Sequence, residues 1–419
     1  MGFKYTTLVE ICRQAILRLS TSIGFIVLCQ LPVAAQGTVS GKVINQADKK
    51  AVSHASAFLS NATIGTETDD KGNFVLLNVK PGKYEIVISI VGFQTYHQPV
   101  TINNSPVDLG VIEVSPKPII LKEVRIRSGN NAAWLRNYQW FKDGFLGTTA
   151  LANACKIINP EALDFNYKAL TDTLTASTDD FLIIENNALG YRMKYLVEHF
   201  IRCDSGRKIN YEGAVLFENM KGTSSQEKRW LKKRREVYEG SAMHFLRSAI
   251  ADRLDDEGFR VFQYAVYANP ARKPDSLIKA KISRFTKTIR SKNSIYRDSL
   301  SFWKNQLGLP KILHSLMHFP LNGSEFTGRT DQPGIYALGC ENDGLYIIYN
   351  KDRHFPKNAG MGFLTNPDNN SDTLIGFNSS FVFFDGNGWV TDPESLSLTG
   401  AWTRNRVVGM LPTDYMPYQ

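Results

Sequence analysis

Between residues 36 and 115, hydrophobic and polar positions alternate in short runs. Val39, Gly41 and Val43 are separated by polar neighbours, and runs at 55–59, 63–68 and 73–77 follow. In the run 84–91, Tyr84, Ile86, Ile88 and Ile90 share one face, and Glu85, Val87, Ser89 and Val91 share the other. A period of two over short segments, with turn residues between them, predicts an antiparallel β-sandwich. In the turn Asp70-Lys71-Gly72-Asn73 the glycine supplies a positive φ without steric cost. Pro81-Gly82 reads as a second turn of the same kind. Asp69 and Asp70 are therefore expected to cap a turn. A catalytic or metal-binding pair would need a third partner, and this loop holds no His or Cys.

After residue 130 the period lengthens. Trp134, Tyr138, Phe141 and Phe145 recur at helical spacing, which predicts a helix over 132–145 with an aromatic stripe facing a core. A short helix carrying Cys155 should follow, and then strands at 163–170, 181–185, 191–201 and 210–218, a meander expected to form a second sandwich. Residues 225–257 turn helical, with Ser225 as the cap and Gly240-Ser241 dividing them so that a new helix covers 242–254. Strands are expected again at 259–267 and 345–349, and a hairpin over 381–390 turns at Asp385-Gly386-Asn387-Gly388. The trailing segment from Trp402 to Pro412 reads as a short amphipathic stretch that docks the C-terminus. The fold class is mainly β, with an α+β C-terminal region.

The front of the chain also resembles a family. The elements Gly41-Lys42-Val43, then Thr66 to Phe74 with its D-x-x-G-x-F core, then Val79-Lys80-Pro81-Gly82-Lys83-Tyr84 and Val91-Gly92-Phe93 occur in the order seen in carboxypeptidase regulatory-like domains. Ala51-Val52-Ser53-His54 departs from the proline-led turn usual there. The resemblance covers about residues 37–115. It implies a seven-stranded transthyretin-like β-sandwich, familiar in exported proteins of Bacteroidota, with an accessory role and no catalytic residues.

The first 35 residues fit an export signal. Lys4, Arg13 and Arg18 precede an apolar run at 23–31, and Val33 and Ala35 suit the −3 and −1 positions of a cleavage site. The run is shorter than the roughly 20 residues a spanning helix needs. Residues 116–130, with Pro116 and Pro118, read as a linker ahead of a larger region, 131–419. The element Leu121-Lys122-Glu123-Val124 is similar to the segment before the plug of TonB-dependent receptors. A plug and a receptor barrel of 22 strands, at roughly 10 residues each plus loops, would not fit in residues 131–419.

With 49 basic and 40 acidic residues, the chain carries a net charge of +9, or +7 once residues 1–35 are removed. Cys155, Cys203 and Cys340 then remain, too few and too odd a number for a disulfide framework, and their pairing stays open. No cofactor motif is present: Gly386 and Gly388 are not followed by the Lys-Ser/Thr of a phosphate loop. His314 and His318 have the i, i+4 spacing of zinc proteases, but Ser315 stands where the general-base Glu belongs. Ser241 with His244, His199, and a Cys155 or Cys203 dyad are the remaining paper candidates for nucleophilic chemistry, none with a distinctive local signature.

The physical signal is basic charge. Residues 228–235 hold six cations, and 272–297 hold nine against Asp275 alone. Ile278, Ala280 and Ile282, alternating with Lys279 and Lys281, give an element with one apolar and one cationic face. An exported protein does not normally meet nucleic acid, so the expected partners are anionic outer-membrane, glycan or lipid-headgroup surfaces. The contacts would come from Lys232, Lys233, Arg235, Lys279, Lys281 and Arg284. The sequence thus points to an exported, non-catalytic envelope protein, at the periplasm or outer membrane. The alternative is a peptidase-like hydrolase with its site in 131–419.

Overall fold

The computed structural model describes residues 37–103, 105–117, 132–206, 208–290, 296–353, 355 and 370–417. The proposed export signal and nearly all of the proposed linker lie outside these residues. The first seven strands are β1 (Gly37–Asn45), β2 (Ser56–Leu59), β3 (Gly65–Glu67), β4 (Asn73–Val79), β5 (Gly82–Ser89), β6 (Tyr96–Ile102) and β7 (Val107–Val114). They form two sheets, ordered β4-β1-β7 and β3-β2-β5-β6, with β1 and β7 the parallel pair. Val39, Val43, Phe74, Leu76, Ile86, Ile88 and Ile112 fill the space between them. The alternation predicts the sandwich and its first five strands, and the count of seven is what the family resemblance implies; the parallel β1–β7 pair departs from the all-antiparallel expectation.

The Asp69 turn behaves as expected. The Asp69 Oδ1 accepts from the backbone N–H of Lys71 (2.9 Å) and Asn73 (2.7 Å), bonds that hold its carboxyl below the usual carboxylate range. Gly72 has φ +78°, and a Cβ there would lie 2.3 Å from the Val43 carbonyl. Pro81-Gly82 differs. Gly82 opens β5 without a positive φ, and its missing Cβ makes room for Asn387 Nδ2, 2.6 Å from where that atom would sit.

The next region is one six-stranded antiparallel sheet rather than a second sandwich. Strands β8 (Cys155–Ile157), β9 (Leu163–Lys168), β10 (Thr173–Thr178), β11 (Leu182–Asn186), β12 (Tyr191–Cys203) and β13 (Lys208–Asn219) are arranged β8-β11-β12-β10-β9, with β13 along the other edge of β12. A helix covers this sheet where a second sheet was expected. Helix α1 (Ala132–Phe145) lays Phe141 and Phe145 against Phe200 and Tyr195 at 4.8 and 5.0 Å between ring centres. The short helix α2 (Ala150–Asn153) ends before Cys155, which belongs to β8.

Helix α3 (Ser224–Tyr238) is capped by Thr223, which forms a reciprocal capping box with Gln226; Ser225 lies inside the first turn. Ser241 caps α4 (Ala242–Ile250), as its position after Gly240 suggests. The remaining strands are β14 (Phe259–Ala268), β15 (Ile312–Leu316), β16 (Thr327–Arg329), β17 (Ile335–Leu338), β18 (Gly344–Asn350), β19 (Asn370–Phe377), β20 (Val382–Asp385) and β21 (Leu396–Gly400). They make sheets ordered β15-β14-β18-β19-β21 and β16-β17-β20. Phe245 of α4 packs with Phe259, Phe326, Leu345, Ile347 and Phe384 into a third core. Between β14 and β15 stand α5 (Asp275–Arg290) and α6 (Arg297–Gly308). The alternation at 278–282 is therefore a fragment of a helix, not a two-faced strand.

The three cores are joined. The outer face of β5 meets β12 and β13, where Val87, Phe58, Leu196, Ala214 and Leu216 bury one another. At the rim, His97 Nε2 lies 3.0 Å from Glu198 and its Nδ1 lies 3.4 Å from Glu85. Glu198 first, and Glu85 second, hold this imidazolium up to about 10, against the opposing effect of burial. Because the folded value exceeds the unfolded 6.5, the stabilisation is complete below that pH and is lost as pH rises towards 10. Both carboxylates are partly solvated, which limits the contribution to about 1–2 kcal/mol. Urea midpoints should fall between pH 6.5 and 10, and His97→Gln should flatten that slope. A wild-type slope that survives the substitution would assign it elsewhere.

The C-terminal segment closes the assembly. Val407, Val408 and Leu411 complete the core of the middle sheet. Asn186 Nδ2 donates to the Val408 carbonyl at 2.9 Å, Thr413 N to Asn61 O at 2.7 Å, and Lys80 Nζ to Asp414 O at 3.0 Å. The expected docking of this stretch is therefore carried by two buried valines and a tail that touches all three parts.

Candidate interaction surface

Residues 270–290 and 296–311 build an arm. Its root is fixed: Asn269 Nδ2 donates to Pro310 O (3.0 Å), Arg272 Nε to Leu309 O (2.8 Å) and Lys273 N to Gln306 Oε1 (2.8 Å). Asp275 pairs with Arg272 at 2.5 Å and Lys311 at 2.6 Å, and the two cations, Lys311 foremost, hold its carboxyl down to about 2. Along the arm Ile278 is buried and Phe285 stacks on Tyr296 at 5.6 Å. Neither helix lends a side chain to the three main cores among the described residues. Lys279 and Arg284 are exposed and Lys281 half-buried. On the helix Lys281 and Arg284, three residues apart, share a face, and Lys279 lies on the opposite side.

The second basic run divides by helix face. Lys232, Lys233 and Arg235 point outward on α3, where Lys233 pairs with Glu236 (2.8 Å) and Arg235 with Glu239 (3.1 Å). Arg234 turns inward, its Nε donating to Leu189 O (2.6 Å) and Nη2 to Gly190 O (3.0 Å), with the guanidinium 3.7 Å from the centre of the Tyr191 ring. Trp230 beside it donates from Nε1 to Asn187 O at 2.8 Å. One basic run thus supplies both surface charge and a structural clamp. A cleft of about 330 Å³ lies against this helix, lined by Asn187, Arg229, Trp230 and Lys233, and another of about 370 Å³ is lined by Arg192 of β12 with Glu218 to Lys221. Neither lining contains a His, Cys or Ser.

The candidates for bond chemistry do not converge. His314 lies on β15, a strand, so the helical spacing with His318 does not apply; its ring hydrogen-bonds and stacks with Tyr264. His244 is buried, accepts from Gly240 N (3.1 Å) and lies 3.3 Å from Glu257, and burial lowers its pKa. Ser241 Oγ accepts from His244 N at 3.2 Å, which is the N-cap of α4 and not a nucleophile–base contact. His199 is exposed opposite Glu212 on the neighbouring strand. The three cysteines are unpaired; burial pushes the Cys155 thiol up to about 12 and that of Cys340 upward. No group of metal-ligating side chains occurs among the described residues.

Helix α6 lies in a stretch where the short strand patterns predict nothing. Tyr296, Leu300, Trp303 and Leu307 carry helical spacing and would have revealed it.

Residues 39–126 match the CarboxypepD_reg-like domain. The match covers about a fifth of the chain, in line with the motifs read from 41–93. No curated protein matches the sequence. Similar solved structures include a cohesin–X-dockerin complex of Acetivibrio cellulolyticus, 18% identical over 19% of this chain and 56% of that chain, TM-score 0.17. The major pilin subunit BcpA of Bacillus cereus is 20% identical over 20% of this chain and 31% of that one, TM-score 0.18. The pilus 2b backbone protein of group B streptococcus is 18% identical over 19% and 41%, TM-score 0.17. In each case this chain spans less than two thirds of the other's length. The CarboxypepD_reg-like domain here is not an isolated module at the front, since its β5 face is shared with β12 and β13.

Proposed function

We propose that the chain is an exported, non-catalytic protein of the cell envelope, held near anionic envelope components by its basic surface. The CarboxypepD_reg-like domain serves as an accessory packing module. The observation that carries this reading is the distribution of charge. Residues 270–311 contain eleven basic and two acidic residues, a surplus of nine, equal to the net charge of the whole chain; the remainder balances to zero. Apart from Lys292, which is outside the described residues, these charges sit on a helical arm whose helices add no side chain to the three main cores among the described residues. Lys279, Lys281 and Arg284 are its principal contacts, with Lys232, Lys233 and Arg235 as a weaker patch because two of these pair with neighbouring glutamates. The engagement of His244, Ser241 and His314 in local structure supports the non-catalytic reading.

Fractionation of native cells tests it. The protein should stay with membranes at low salt and be released by high salt, as screened charge attraction requires. The triple variant K279E/K281E/R284E should weaken the low-salt association roughly tenfold or more, since each cation near an anionic surface contributes about 1 kcal/mol. A wild-type protein free of membranes and wall material at low salt would overturn the proposal, as would one retained through high salt.

A further inference from the structure

The arm carries more than charge. Twenty large apolar side chains are exposed among the described residues, and eight of them fall between Tyr267 and Phe319. That interval is about an eighth of the chain, so the apolar exposure is concentrated where the positive charge is. On the helices themselves Leu277 is 39% exposed, Phe302 50% and Leu307 51%. Single exposed apolar residues are ordinary; a concentration of them on one element marks a contact surface.

Two features indicate what such a surface fits. First, the cations do not converge on a point. Lys281 and Arg284 stand one turn apart on the face of α5 that also carries Leu277, and Lys279 lies on the opposite side, so no fork or cradle closes around one phosphate or carboxylate group, whereas an anionic plane can meet that face as a whole. Second, an acidic glycan offers charge but no apolar phase, so burying Phe302 and Leu307 against it would gain nothing. The headgroup layer of a bilayer offers phosphate and the acyl boundary within a few ångströms of each other, and amphipathic basic helices lie in it. The root bonds of Asn269, Arg272 and Asp275 hold the helices as a stiff mount, which lowers the ordering cost of docking.

We propose that α5 and α6 form a membrane-docking arm that lies on anionic phospholipid, with Lys281 and Arg284 at the headgroup phosphates and Leu277, Phe302 and Leu307 at the acyl boundary. This rests on the anionic-surface function proposed above and names its partner.

The test is co-sedimentation of the full chain with vesicles of phosphatidylglycerol and phosphatidylcholine, with pure phosphatidylcholine vesicles and soluble dextran sulfate in parallel. The wild type should favour the anionic vesicles over the neutral ones at least tenfold. Phe302→Ser with Leu307→Ser should lower binding to anionic vesicles about tenfold and leave dextran sulfate binding unchanged. Leu277→Ser, on the other helix, provides an independent check, and all three positions are exposed enough for the variants to keep the wild-type melting curve. Unchanged vesicle binding by both apolar variants would overturn the arm's insertion while leaving the anionic-surface function standing. Binding of the wild type to dextran sulfate but not to vesicles would do the same and point to an acidic glycan. If K279E/K281E/R284E binds every anionic probe as the wild type does, both proposals fall.

Discussion

Arg247→Ala should release the C-terminal tail and destabilise the chain by about 3 kcal/mol or more. The Arg247 guanidinium donates to three carbonyl oxygens: Asn387 at 2.8 Å, Tyr415 at 2.9 Å and Thr413 at 3.1 Å. Hydrogen bonds from a charged donor contribute about 1.5–3 kcal/mol each, and their loss leaves part-buried carbonyls without a partner. The three acceptors lie on two segments, the β20 turn and the tail, so one side chain ties both to α4. Arg247→Lys should recover only part of the loss, because an ammonium cannot present the planar fork that meets three separate oxygens. The expected readout is a lower melting temperature together with faster proteolytic trimming at the C-terminus. A variant that melts like the wild type and keeps its tail under protease would show that the buried Val407 and Val408 hold the segment unaided.

The contrast between α4 and β5 shows how far the sequence could be read. In β5 the partners are set by period two, and Tyr84, Ile86 and Ile88 enter the sandwich core as the alternation requires. The opposite face of the same strand looks half polar, yet Val87 is fully buried there because β12 and β13 cover it. Nothing local in 84–91 announces that cover, since it comes from residues more than a hundred positions away. Arg247 presents the same difficulty, for a lone arginine on a short helix looks like any solvated cation until the tail returns to it. Within α5 the length of the window decides the period. Ile278, Ala280 and Ile282 satisfy a strand period over five residues, whereas Ile278, Ile282 and Phe285 over eight satisfy only a helix. The basic character of that element was legible because charge does not depend on the period; which side chains share a face was not. At α3 the choice of cap is a local matter. Thr223 and Ser225 are both good caps, and the Gln226 three residues after Thr223 decides between them.

Gly190→Ala should cost about 3 kcal/mol or more, through Trp230. Gly190 has φ +67°, and a Cβ there would lie 2.2 Å from Trp230 Cδ2. On another side of the ring, a Cβ at Gly222 would lie 2.7 Å from Cη2, so the indole sits between two glycines. A ring atom cannot swing aside as the end of a lysine could. The added methyl must therefore shift the indole, and with it the bond from Nε1 to Asn187 O and the neighbouring Arg234 contacts that dock α3. Trp230→Ala alone should cost about 3–5 kcal/mol as a large-to-small core substitution. The double variant separates the two causes. With the indole gone, Gly190→Ala retains only the strain of a left-handed alanine, about 1 kcal/mol, so the pair should be clearly less destabilised than the two singles added together. Melting curves for the four proteins give the coupling directly. If the losses simply add, backbone strain and not the packed indole is the reason for glycine at 190.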